Sequence, residues 1–168
     1  IVKFVQELGE PFQFLSSKKK VAFNVDASKE AISTWFDSSA LEKILNNLLS
    51  NAFKFTPENG TVEIEVFDGE DFVDEGRKKT EELDKDKYVI IKVKDSGPGI
   101  PAHRINHIFE RFYVEVDKLK INTKGTGIGL SFTKNLVELH QGVIDVKSGT
   151  EDGTTFYVWL PKEKSIYE

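Results

Sequence analysis

The chain has no cysteine, no methionine, only five prolines and no long apolar run. Without cysteine there are neither disulfides nor thiolate metal sites. The densest apolar segment, Tyr88-Val89-Ile90-Ile91, is strand-sized and far short of the roughly 20 residues a membrane span needs. Positive charge is not in excess either: 28 acidic side chains face 23 basic ones, a formal net charge of −5, which disfavours a nucleic-acid partner. A chain that starts at Ile1 and holds no methionine lacks an ordinary translation start and reads as a segment of a longer protein. What is present is 168 residues, 39% hydrophobic and 30% charged, the composition of a soluble domain with a real core.

Periodicity organises the chain. Ile1, Phe4, Val5 and Leu8 suit the last turns of a helix that Gly9-Glu10-Pro11 stops. Val21, Phe23 and Val25 alternate as in a half-buried strand, and Trp35-Phe36 suggests a second short one. From Ser39 to Phe55 runs the clearest helix, capped by Asp37 or Ser38, with Leu41, Ile44, Leu45, Leu48, Leu49, Ala52 and Phe53 in one stripe. Thr61–Val66 alternates strictly, as a strand with one wet face does, whereas Tyr88–Val93 is apolar throughout and reads as a central strand. A short helix is expected over His103–Phe109, and a longer one over Gly129–His140 with Gly142 as its stop. Strands over Val143–Lys147 and Thr155–Leu160 close the chain. The interleaving lacks regular βαβ repeats and favours an α+β two-layer sandwich.

Three segments carry chemistry. On the helix through Leu41, Asn47, Asn51 and Lys54 fall within roughly 60° of one another, opposite the apolar stripe. Amide oxygens one turn apart followed by an ammonium suit a hydrated Mg²⁺ and the phosphates it bridges, although a solvated polar face has the same pattern. The second segment, Asp95-Ser96-Gly97-Pro98-Gly99, follows a buried-type strand. Its carboxylate can accept from an exocyclic amine such as adenine N6, and its glycines admit a flat ligand or simply make a tight turn. The third, Gly125-Thr126-Gly127-Ile128-Gly129-Leu130, opens a helix and offers unpaired N–H groups to anions. It is neither Walker A nor the dinucleotide fingerprint.

In this order and spacing the three segments make the chain resemble the catalytic, ATP-binding domain of sensor histidine kinases, which shares a nucleotide fold with gyrase, mismatch-repair ATPases and a heat-shock chaperone. The likeness runs from about Val21 to Pro161 and includes an N box from Asn47 to Phe55 and two glycine boxes. It also includes Ile108-Phe109-Glu110-Arg111-Phe112-Tyr113, similar to the phenylalanine box of histidine kinases. The resemblance implies a Bergerat-type sandwich, a mixed sheet of about five strands with about three helices on one face. It divides the chain into a stub of a preceding dimerisation-domain helix (1–15), the ATP-binding domain (16–163) and a tail (164–168).

By the same resemblance, Asn51 is the Mg²⁺ ligand, Asn47 and Lys54 are the catalytic pair, and Lys54 and Phe55 lie near the phosphates and the nucleoside. Asp95 reads adenine, and Gly97, Gly99 and Ile100 shape the base pocket. Lys124, Gly125, Thr126, Gly127, Gly129 and Leu130 line the phosphate side, and Thr154 lies close to the adenine. Arg111 to Lys124 would form a mobile lid, with Lys118 and Lys120 as further counter-charges. Asn47 stands where hydrolytic relatives carry a water-activating glutamate, and an amide is no general base, so ATP is held for transfer. The implied activity is transfer of the γ-phosphate to a histidine of a separate dimerisation domain, with a response-regulator receiver downstream and no nucleic-acid or direct membrane contact. The implied setting is the cytoplasmic part of a membrane-anchored bacterial sensor. A serine kinase of the anti-sigma-factor type and a nucleotide-binding module without transfer are the alternatives. The chain departs from the family where Tyr113 is followed by Val114 in place of an arginine, and His103, His107 and His140 do not sit where an acceptor would.

The net charge is localised. Asp68 to Asp86 holds nine acidic and four basic residues, and the remainder carries 19 of each, so the body that would hold ATP is neutral. This acidic insertion is expected to be a solvated loop or a docking element.

Overall fold

A computed structural model describes residues 1–73, 80, 82–113, 126–150 and 152–163. Five strands form one mixed sheet in the order β1-β2-β3-β5-β4: β1 (Ala22–Ala27), β2 (Thr61–Asp68), β3 (Tyr88–Asp95), β4 (Val143–Gly149) and β5 (Gly153–Pro161). β1 and β2 run parallel, joined by a helical crossover, and every other pair is antiparallel. The helices α1 (Val2–Lys19), α2 (Ser38–Phe55) and α4 (Gly129–Leu139) bury their apolar stripes against Val62, Ile64, Val66, Ile91, Val93 and Val158 of the sheet. The short α3 (Ala102–Ile105) lies beside β4. This is the α+β sandwich expected from the sequence. Among the described residues no helix is long and apolar enough to cross a membrane.

α2 follows its sequence closely. Asp37 is the cap, its Oδ1 accepting from Ala40 N at 3.0 Å, and the whole stripe from Leu41 to Phe53 is buried. The helix stops at Thr56, whose hydroxyl donates back to Ala52 O at 2.7 Å ahead of Pro57.

Four local expectations are corrected. α1 does not stop at Gly9-Glu10-Pro11; it continues to Lys19 and ends at Lys20, which has a left-handed backbone. Packing outweighs the helix breakers here, because Gly9 sits against Phe23 and Val25, and Phe12 stacks on Phe53 with ring centroids 5.7 Å apart. Trp35-Phe36 is not a strand: Trp35 N donates to Lys162 O, and Phe36 packs its ring on Phe4. The helix expected over His103–Phe109 covers only Ala102–Ile105, after which the turn bonds His107 N to Arg104 O and Glu110 N to His107 O bring Ile108 into the core. The C-terminal stop of α4 takes its positive φ, 53°, at Gln141, one residue before the expected Gly142.

The outer face of the sheet carries a second, smaller core. Phe72, reached through a 3₁₀ turn at Gly69–Asp71, is only 4% exposed and packs edge-on against Trp159 and Phe67, at 5.3 Å from each. Ile90, Tyr157 and Leu83 complete this cluster. The described parts of the acidic insertion thus form a fitted cover over the aromatic outer face, with Thr80 buried as well. Beyond it the face is wet, and Lys92 pairs with Glu65 at 2.6 Å.

Candidate functional site

α2 turns its apolar stripe to the sheet, which leaves Asn47, Asn51 and Lys54 on the opposite side, one turn apart. Two other segments meet that polar face. At its C-terminal end is the loop after β3, where a Cβ on Gly97 would lie 3.2 Å from Phe55 O. Near its middle is the start of α4, where a Cβ on Gly129 would overlap Asn47 Oδ1. Asn47 and Asn51 are half-buried, and Lys54 is exposed with its ammonium 5.1 Å from the ring of Phe55. Phe55 itself is 49% exposed, an apolar surface at the rim of the site.

Asp95 ends β3 and is 7% exposed. Its Oδ1 accepts from Gly97 N at 2.8 Å, and the backbone N–H of Thr154 also bonds the carboxylate. Burial pushes its pKa above the ordinary aspartate value, while these two backbone donors partly offset that rise. The carboxylate is therefore fixed in place and poorly solvated, suited to a ligand that brings its own donor.

Gly99 has φ +74°, and a Cβ there would overlap Gly149 O. The sequence offered ligand approach or a tight turn as the reason for this glycine; the structure shows close packing of the loop on the β4–β5 turn. Ile100 N donates to Ser148 Oγ at 2.8 Å. Ser148 Oγ in turn donates to Gly153 O at 2.7 Å and lies 2.9 Å from Thr154 Oγ1. One hydroxyl thus joins the Asp95 loop, the hairpin turn and Thr154.

Of the glycine segment that opens α4, Thr126 to Leu130 are described: Gly127 O accepts from Phe112 N at 2.9 Å and Leu130 packs on the core. Lys118, Lys120, Lys124 and Gly125, and with them most of the expected lid, lie outside the described residues. The structure thus gathers Asn47, Asn51, Lys54, Phe55 and Gly97 along α2 and ties Asp95, Gly99, Ile100 and Thr154 together across β3, β4 and β5.

Sequence reasoning missed two residues. Ser148 gave no local signal, because its partners lie 48 and 6 positions away in the chain. Thr133 did leave one: it is a polar residue between Leu130 and Val137 on the inward side of α4, fully buried, and its Oγ1 accepts from Asn47 Nδ2 at 2.7 Å.

Among the described residues no three His, Cys, Asp or Glu side chains form a metal cluster. Mg²⁺ does not need such a cage, since it keeps several waters and takes phosphate oxygens; a single half-buried amide oxygen such as that of Asn51 fits it.

Residues 36–164 match the family model described as histidine kinase-, DNA gyrase B- and HSP90-like ATPase. The chain is 33% identical over 164 residues to histidine kinase P4 of Formosa agariphila, covering 96% of this chain and 11% of that relative. It therefore spans only a small part of the curated relative's length. The nucleotide-free catalytic domain of histidine kinase ThkA is similar in structure, with a TM-score of 0.76 at 26% identity over 98% of this chain and 93% of that one. ThkA in complex with the response regulator protein TrrA aligns with a TM-score of 0.71 at 25% identity, covering 96% of this chain and 40% of that chain.

Proposed function

The chain belongs to the histidine kinase-, DNA gyrase B- and HSP90-like ATPase family, and on that premise we propose that it binds Mg·ATP along the polar face of α2 and transfers the γ-phosphate to a histidine of a separate dimerisation domain. The observation that carries the reading is the convergence of three segments on that face: the N box itself, the Asp95 loop at Phe55 and the start of α4 at Asn47.

Each residue then has a task. Asp95 accepts from the adenine amine, held by the backbone N–H groups of Gly97 and Thr154. Phe55 covers the nucleoside, and Lys54 supplies positive charge beside the phosphates. The Gly127–Gly129 backbone presents N–H groups at a helix N-terminus, where anions are favoured. Asn51 would hold the Mg²⁺, which contributes charge neutralisation on the phosphates when bound. Asn47 offers an amide and takes no proton from water, so the site positions the γ-phosphate for another nucleophile. Residues up to 15 are proposed to continue a helix of the dimerisation domain. The phosphate is proposed to pass onward to a response-regulator receiver, the kind of protein that TrrA is for ThkA. The proposed setting is the cytoplasmic side of a membrane-anchored bacterial sensor.

The test mixes this chain with a histidine-bearing dimerisation-domain fragment, Mg²⁺ and γ-labelled ATP. Acid-labile, alkali-stable label on the fragment, and none on this chain, is the expected result. Acid-stable label on serine would point to the serine-kinase alternative. Mg-dependent ATP binding without any transfer would leave a nucleotide-sensing module, and steady phosphate release by the chain alone would mark a hydrolase.

A further inference from the structure

We infer that Thr133 is a positioning residue for the phosphate side of the site and acts through Asn47; this rests on the nucleotide reading above. Thr133 lies on the inward side of α4 and is 0% exposed. A valine would fill the same space without a hydroxyl to satisfy, and a buried hydroxyl without a partner is costly. Here the hydroxyl has a partner in Asn47 Nδ2, at 2.7 Å.

That bond fixes more than one side chain. With Nδ2 committed to Thr133, the other end of the amide, Oδ1, lies against Gly129, where a Cβ could enter only if the amide moved. Asn47 is thereby held at its nitrogen by the second turn of α4 and sits with its oxygen against the first. The middle of α2 and the start of α4 are locked as one unit. Asn51 and Lys54 lie one and two turns further along the same face, and the glycine segment runs directly into the locked turn. In the absence of the Thr133 hydroxyl, the Asn47 amide is free to rotate, and the spacing between the Asn51 face and the Gly127–Gly129 backbone is no longer set.

The base side of the site is held separately, by Ser148 and the backbone bonds to Asp95. The inference therefore separates phosphate recognition from base recognition. Thr133→Val should weaken Mg·ATP binding about tenfold while adenosine binding stays within about twofold, and Thr133→Ser should restore Mg·ATP binding. In an Asn47→Ala background, Thr133→Val should cause no further loss, because the residue acts through Asn47. Isothermal titration of the 168-residue chain with Mg·ATP and with adenosine reads all of these, and thermal unfolding confirms that each variant is folded. Equal loss of adenosine and Mg·ATP in Thr133→Val overturns the inference, as does wild-type Mg·ATP affinity, a Thr133→Ser variant as weak as Thr133→Val, or additive losses in the double variant. Should Thr133→Val fail to fold, Thr133→Ala, which removes the same hydroxyl with a smaller side chain, is read in its place against Thr133→Ser, with the same outcomes deciding. A wild-type chain that does not bind Mg·ATP would instead remove the proposed function itself.

Discussion

The hydroxyls of Ser148 and Thr154 lie 2.9 Å apart, on residues that face each other across β4 and β5. Ser148 Oγ accepts from Ile100 N and has one proton, for which Gly153 O at 2.7 Å is a pure acceptor; the arrangement that satisfies all three contacts has Thr154 donating to Ser148. In that arrangement, and at the proposed site, Thr154 offers the base an acceptor. An amine, as on adenine, suits that arrangement, whereas the carbonyl oxygen of guanine does not.

Ser148→Ala should then weaken ATP binding by about three- to tenfold, in line with the ordinary worth of a hydrogen bond. The ratio of ATP to GTP affinity should shrink as Thr154 becomes free to donate. Competition binding with the two nucleotides measures both, and an unchanged ratio would show that Ser148 does not set base preference.

Asp95 gives a pH dependence. Its folded pKa is raised, chiefly by burial, so the neutral carboxyl suits the unliganded fold better than the ionised one. The stabilisation is fully present below the ordinary aspartate pKa and is lost as pH rises through the folded value. In Asp95→Asn the side chain stays neutral. Urea unfolding between about pH 4 and about pH 7 should show the stability of the variant gaining on that of the parent as pH rises, while ATP binding is lost. A pH-independent difference would rule this out.

Phe72 tests the outer-face cover. Phe72→Ala should cost about 3 kcal/mol in urea unfolding, as buried phenylalanine truncations do, and leave Mg·ATP affinity within about twofold. The cluster lies across the sheet from α2, which separates the two effects. A large loss of nucleotide binding in a folded variant would mean that the insertion reaches the site.

Gly99→Ala forces a side chain onto φ +74° and into Gly149 O. The expected cost is about 2 kcal/mol or more, together with weaker ATP binding, because the β4–β5 turn must move. Thermal shifts with and without ATP give both; an unshifted variant would mean that the turn yields freely.

How much of this was legible depends on how local the cause was. The stripe of α2, a cap at Asp37 or Ser38 and the alternation of β2 depend on neighbours within a few residues and could be read directly, the structure choosing Asp37. What could not be read has the opposite property. α1 persists through Gly9 and Pro11 because Phe12 finds Phe53, which is 41 positions away. The acidic insertion hides Phe72 because Trp159, from the last strand, offers it a face. Ser148 could not be singled out before a fold places it beside Ile100, and the polar residue at Thr133 stood out on an inward helix face while its partner Asn47, 86 positions away, did not.

The outer-face cluster also gives the chain an optical handle. Its two tryptophans are opposites: Trp35 is 62% exposed, whereas Trp159 is 0% exposed, ringed by Phe72 and Tyr88, and its indole N–H has no hydrogen-bond partner among the described residues. Emission from Trp159 belongs at short wavelength and beyond the reach of a dissolved quencher, and that from Trp35 at long wavelength and within it. Lifting the insertion off the sheet would redden the first and leave the second alone, so departure of the cover can be followed without adding a label.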